Sequence, residues 1–198
     1  MIPDHVRALI FDCDGTLADT MPAHFRAWAA ATAEYGLDFP EDRFYALGGM
    51  PSRRIVELLA REQGVVVDID VVAAEKERLF LEWLPTVGPI GPVCEVARDR
   101  HGRMPMAVAS GGYRKIVTAT LRQLGIAELF LTVVTAEDTP RHKPDPDVFL
   151  EAARRIDADP AECLVFEDTD IGLEAARRAG MAMFDVRTVY TPRRVTGG

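Results

Sequence analysis

Asp12 and Asp14 stand one residue apart at the close of an apolar run, Ala8-Leu9-Ile10-Phe11, and Gly15 follows them. Paired carboxylates offer hard oxygen donors, and a cation held by them can in turn hold an anionic substrate. The same switch from apolar to polar recurs along the chain. Ser110 follows Met106-Ala107-Val108-Ala109, Lys143 lies in the loop beyond Val133-Val134, and Glu167-Asp168 follow Leu164-Val165-Phe166. Each set taken alone has a plain explanation. The acids and Ser110 also fit as N-caps of the next helices, and a loop lysine is usually solvated. Four sets with a hydroxyl, an ammonium and several carboxylates are harder to dismiss.

The elements that position them follow from the pattern. Uncharged runs of four residues read as strands covered on both faces. Helical patterns separate them, over Val93 to Arg100, Tyr113 to Leu124, Pro146 to Ile156 and Gly172 to Ala179. A β-rich stretch runs from Leu129 to Thr135 and a last strand from Met181 to Val186. Strands alternating with helices predict an α/β fold, a doubly wound parallel sheet whose ligands sit outside the strands' carboxyl ends. All four polar sets then face one edge. Between the first strand and the rest lie three helical patterns, Pro22 to Tyr35, Ser52 to Gln63 and Val71 to Leu84, ended by Gly88-Pro89-Ile90-Gly91-Pro92. This reads as an α-helical cap over 18–87 inserted into a core of 1–17 and 88–198. The tail from Thr191 onward is expected to be mobile.

Composition sets bounds. With 198 residues, 48% hydrophobic and 27% charged, the chain suits one soluble domain carrying an insertion. No apolar run approaches the ~20 residues of a membrane span, and the start of the chain does not resemble a secretion signal. The net charge of −8 argues against nucleic acid as a partner. Three cysteines, Cys13, Cys94 and Cys163, show no metal-ligand spacing, so reduced thiols in a cytoplasmic protein are expected. Cys13 should point into the core.

In order and strand context, Asp12-Cys13-Asp14-Gly15-Thr16-Leu17, Ser110, Lys143-Pro144 and Glu167-Asp168-Thr169 resemble the four motifs of the haloacid dehalogenase superfamily. The helical insertion resembles that family's α-helical cap. Within the family the chain is most similar to the β-phosphoglucomutase and sugar-phosphate phosphatase branch, and around 101–110 and 165–185 to fructose-1-phosphate phosphatases.

The resemblance implies a Mg²⁺-dependent phosphatase acting on a small phosphorylated metabolite through an aspartyl-phosphate, with no membrane partner and as a monomer. Asp12 would be the nucleophile, and Asp14 the acid and base, held partly protonated by burial. Asp12, Asp168 and the backbone carbonyl of Asp14 would hold the metal, with Glu167 behind them orienting a metal-bound water. Position 172 is Gly172, so no second acid follows one turn later; Glu167 can compensate. Asp170 reads as a solvent-facing helix start. Ser110 and the Gly111 amide would cradle phosphate, and Lys143 would neutralise it together with Asp12.

Substrate choice falls to the cap. His24 and Lys76 match positions that reach the substrate in the β-phosphoglucomutase branch, while Arg53 and Arg54 follow a loop resembling its specificity loop. Trp28 and Trp83 are expected to pack inside the cap. A phosphosugar mutase and a phosphoglycolate phosphatase share every core residue and remain alternatives. Asp14 argues against a dehalogenase, which needs no second acid. The presence of every motif residue argues against a catalytically silent binder.

Overall fold

Where an apolar run meets charge, a buried strand ends. The computed structural model describes residues 2–196. In it the runs become β1 (Ala8–Phe11), β2 (Met106–Ala109), β3 (Thr132–Val134), β4 (Cys163–Glu167) and β5 (Ala182–Asp185). Every pairing is parallel, in the order β3-β2-β1-β4-β5. The register aligns Phe11 with Val108 and Phe166, so the three central strands end within one residue of one another.

Side chains alternate between two faces. Leu9, Phe11, Met106, Val108, Leu164 and Phe166 meet α5 (Gly91–Arg100) and α6 (Arg114–Gln123) through Val93, Cys94, Val117 and Leu121. Ala8, Ile10, Ala107, Ala109 and Val165 meet α7 (Asp147–Arg155) and α8 (Asp170–Arg178) through Phe149, Ala152 and Ala175. Burial on both faces explains why these strands carry no charge until their last turn. Phe11 stacks on Phe166 at 4.7 Å between ring centroids, stiffening the strand that presents Asp12. Cys13 lies in the first of these cores.

The segment between β1 and α5 holds α1 (Met21–Glu34), α2 (Glu41–Ala46), α3 (Ser52–Gln63) and α4 (Ile69–Trp83). Its own core contains Phe25, Trp28, Phe39, Phe44, Leu59 and Val72. A second, smaller cluster joins Ala23, Ala27 and Phe80 to Ile116 of α6. The chain enters and leaves this segment side by side: Asp19 N donates to Gly88 O and Ile90 N to Leu17 O, each at 2.9 Å. Among the described residues no helix is long and apolar enough to cross a membrane.

Four expectations need correction. α2 was not foreseen, because six residues after Pro40 are too few to show a helical period. The β-rich stretch shortens to Thr132–Val134 behind a 3-10 turn, since an edge strand has one partner. Trp83 is not inside: it is 37% exposed, with the Arg26 guanidinium 4.9 Å over its ring. The described part of the tail is not loose. Arg194 pairs with Asp42, and Val195 N and Thr196 N donate to Glu41 on α2.

Candidate active site

The carboxyl ends of β1, β2 and β4 and the loop after β3 converge on one edge of the sheet. Asp12 is the first residue past β1, and its N–H donates to Phe166 O, which ties it to the neighbouring strand. Lys143 reaches in from its loop. Its Nζ donates to Asp12 Oδ1 and to Glu167 Oε2, both at 2.7 Å, and all three side chains are buried. Glu167 Oε1 in turn accepts from Asp168 N (3.2 Å), Thr169 N (2.9 Å) and Thr169 Oγ1 (2.7 Å). Both Glu167 oxygens are therefore occupied by protein donors.

Gly172 allows this. It is the third residue of α8, and a Cβ there would lie 2.0 Å from Glu167 Cδ. The missing acid at 172 and the buried Glu167 are thus one arrangement: the glycine leaves the room the glutamate fills. Asp170, at the start of α8, faces solvent and pairs with Arg187.

Asp12, Glu167 and Asp168 can each offer a carboxylate oxygen within 4.8 Å of the others. Thr16 Oγ1 donates to Asp168 Oδ1 at 3.0 Å, and a Cβ on Gly15 would fall 2.2 Å from Asp168 Oδ2, so Gly15 leaves space for that carboxylate. Burial pushes the Asp12 carboxyl up to about 7, with Glu167 and Asp14 adding to it and Lys143 opposing it. Burial, then Glu167 and Asp12, also raise Asp168. Burial disfavours the Lys143 ammonium, but Asp12 and Glu167 outweigh that and hold it charged. Three carboxylates against one ammonium leave a surplus of negative charge, and the donors are all hard oxygens. This set fits Mg²⁺.

Ser110, past β2, accepts from Gly112 N at 3.0 Å through Oγ, which leaves its own O–H free to donate. Gly111 lines the same cavity. Asp14 faces α1: His24 Nε2 lies 3.2 Å from its Oδ1, and the His24 ring stacks on Phe80 at 3.9 Å. Burial alone would raise Asp14, as the sequence reading expects. The His24 ring, the hydrogen bond to it and the Lys76 ammonium instead bring it below the ordinary value. Burial and Lys76 lower His24 as well, against the pull of Asp14. Its Nδ1 is buried without a partner among the described residues.

The cavity between the strand edge and the helical segment is lined by Asp12, Asp14, Ser110, Gly111, Lys143 and Glu167 on one side and His24 and Lys76 on the other. Arg53 does not reach it: it is exposed and paired with Asp70, facing a neighbouring cleft. Ser52, Glu77, Thr16 and Thr169 were not singled out from the sequence. Thr16 and Thr169 adjoin motif acids and could have been; Ser52 and Glu77 carry no spacing signal.

The haloacid dehalogenase-like hydrolase family model matches residues 6–180. Fructose-1-phosphate phosphatase YqaB of Escherichia coli is 42% identical over 180 residues, 90% of this chain and 95% of that protein. The β-phosphoglucomutase of Bacillus subtilis is 29% identical over 89% of this chain and 81% of its own. Among solved structures, a hydrolase from Pseudomonas syringae superposes with a TM-score of 0.83 at 25% identity, covering 93% of this chain and 87% of the other. The chain is an enzyme of the haloacid dehalogenase-like hydrolase family.

Proposed function

We propose that this enzyme is a Mg²⁺-dependent phosphatase that hydrolyses a sugar monophosphate, fructose 1-phosphate being the first candidate, through an aspartyl-phosphate. One observation carries the reading. A single buried ammonium, Lys143 Nζ, bridges Asp12 and Glu167 at 2.7 Å each, within a carboxylate cluster at the carboxyl ends of the buried strands β1 and β4. The 42% identity to a fructose-1-phosphate phosphatase supports the substrate class.

Asp12, Asp168 and the backbone carbonyl of Asp14 would hold Mg²⁺. When bound, the ion neutralises charge on the phosphoryl oxygens. Glu167, with both oxygens held by protein donors, stands behind that set. Lys143 fixes one oxygen of Asp12 and so orients the carboxylate. Asp14, ionised at rest, takes up a proton as the phosphate monoester monoanion binds beside it; Asp12 attacks phosphorus, the bond from phosphorus to the sugar oxygen breaks, and Asp14 passes that proton to the leaving alkoxide. Asp14 then takes a proton from water as that water attacks the phosphoaspartate. The bond from phosphorus to Asp12 breaks, and free phosphate leaves. The Ser110 hydroxyl and the Gly111 N–H hold the phosphoryl oxygens throughout. His24 orients Asp14 from the helical side. Residues 18–87 act as the cap that excludes bulk water, and 1–17 with 88–198 as the catalytic core.

A panel of sugar phosphates tests the proposal, with phosphate release measured with and without Mg²⁺. Fructose 1-phosphate should be hydrolysed, Mg²⁺ removal should abolish release, and Asp12→Asn should lower it by roughly 10⁴-fold or more. Residual turnover in Asp12→Asn at a tenth of wild type would refute the nucleophile assignment. An isomeric sugar phosphate formed without free phosphate would identify a mutase instead.

A further inference from the structure

The helical wall of the cavity carries a polar cluster that hydrolysis as described does not use. Ser52 Oγ, at the first position of α3, donates to Glu77 Oε1 at 2.5 Å, and Lys76 Nζ donates to the same oxygen at 3.1 Å. Ser52 and Lys76 are buried, and all three line the cavity that holds Asp12 and Asp14. The Lys76 ammonium also lies 5.4 Å from the Trp28 ring centroid and 5.7 Å from that of Phe80, so aromatic faces and Glu77 together fix it.

Charge on this wall is balanced. Lys76 is answered by Glu77, while Arg53 and Arg54 are exposed and spent on Asp70 and Glu57. The wall therefore offers no surplus cation. With Lys76 held against Glu77, the wall gives a phosphate dianion no net attraction, and the Glu77 carboxylate cancels what the ammonium alone would offer. That carboxylate accepts well from neutral hydroxyls, and charge-assisted O–H to carboxylate bonds are the stronger kind. Both protein donors fall on Oε1, and a carboxylate has about four acceptor sites in all, so capacity for substrate hydroxyls remains.

We infer that Glu77 is a specificity-determining residue: with Ser52 and Lys76 it selects a neutral, hydroxyl-bearing body and rejects a substrate carrying a second phosphate. The inference rests on the phosphatase reading and deepens it. It also bears on the choice between hydrolysis and isomerisation. A mutase working through an aspartyl-phosphate must hold a sugar bisphosphate with its idle phosphate against the wall facing the aspartate. Here that wall presents Glu77, which favours monophosphate hydrolysis.

The test separates binding from turnover. In an Asp12→Asn background, calorimetry measures affinity for fructose 1-phosphate and fructose 1,6-bisphosphate. The monophosphate should be preferred. Adding Glu77→Gln, equal in shape but neutral, should narrow that preference by about tenfold or more. Ser52→Ala keeps the charge and should leave the preference within about threefold, whereas Lys76→Met should widen it. The inference falls if the bisphosphate binds as tightly as the monophosphate before Glu77 is changed. It falls equally if Glu77→Gln narrows the preference less than tenfold, or if Ser52→Ala narrows it as much. Lys76→Met reads the same charge in the opposite direction, and a narrowed preference there also overturns the inference. Phosphate release by the unmodified enzyme reports separately on the phosphatase reading.

Discussion

The strand-edge rim and the helical wall face each other across one cavity, but they are built differently. On the rim, most groups are held by other groups of the rim. Lys143 joins Asp12 to Glu167, Glu167 holds the Asp168 and Thr169 amides, and Thr16 holds Asp168. These groups sit at the ends of strands buried on both faces. On the wall, His24, Ser52, Lys76 and Glu77 hang from an apolar bundle with a core of its own. That bundle meets the rest of the fold through a small apolar cluster around Phe80 and Ile116, two adjacent chain crossings and the tail. Reacting atoms need placement within a fraction of an ångström, and a shared network supplies it. A wall that selects and encloses must also be free to move.

The sharpest way to break this contrast is to remove the rim's one ammonium. Lys143→Met leaves Asp12 and Glu167 buried and unpaired, and loss of one partner of a buried ion pair costs about 3–5 kcal/mol. Urea unfolding should show that loss, and phosphate release should fall to background. A loss below 1 kcal/mol would mean that the rim is not a cooperative network. Gly172→Ala is the next largest. Its Cβ would lie 2.0 Å from Glu167 Cδ, so either Glu167 or α8 must shift. Overpacking of this kind costs about 1–3 kcal/mol, and turnover should fall with stability because Glu167 carries Lys143.

The rim was legible from sequence for the reason that makes it rigid. Strands covered on both faces cannot carry charge, so polarity marks where each strand stops, and a parallel sheet puts those stops on one edge. The wall was not legible in the same way. Ser52 and Glu77 are 25 positions apart on two helices, and nothing in either helix's own period brings them together. Asp14 shows the limit most clearly. Its half-buried place follows from its position after β1, yet its acidity is set chiefly by His24 across the cavity. Lys76 was read as a substrate contact and does line the cavity, whereas Arg53, read in the same way, turns outward to Asp70. Helical spacing does not say which of two flanking charges faces in. The hold of the tail on α2 was hidden too, since a short polar segment has no periodicity to read.

His24 sharpens the comparison from the wall side. His24→Phe keeps an aromatic ring against Phe80 and removes the bond to Asp14. For alkyl phosphates, whose leaving group needs a proton, kcat/KM should fall on the order of tenfold to a hundredfold. For p-nitrophenyl phosphate, which leaves without one, the loss should be several times smaller. Equal losses on both substrates would show that His24 only fills space.

The smallest effect concerns the tie between tail and bundle. Glu41 is buried and accepts from Val195 N at 2.6 Å, Thr196 N at 2.9 Å and Thr196 Oγ1 at 2.5 Å, while Arg194 lies 4.0 Å over the Tyr45 ring. Burial tends to raise this carboxyl, but the Thr196 hydroxyl and the two amides prevail and hold it below the ordinary glutamate value. A carboxyl depressed in the folded state contributes stability that is complete above its unfolded value and is lost as pH falls through the folded one. Glu41→Ala removes the acceptor at every pH, at a cost of about 1–2 kcal/mol in local opening. Trypsin should then cut at Arg193 and Arg194 roughly tenfold faster at neutral pH, with global unfolding in urea almost unchanged. Acidifying the wild type below the Glu41 carboxyl's range should loosen the same segment, as read by hydrogen exchange at the Val195 and Thr196 amides, while Glu41→Ala shows no such step. Cutting at the wild-type rate in Glu41→Ala would mean that the tail is held by Arg194 on Tyr45 and Asp42 alone. The tie between tail and α2 would then be the guanidinium of Arg194, and Arg194→Ala would be the variant that frees the tail.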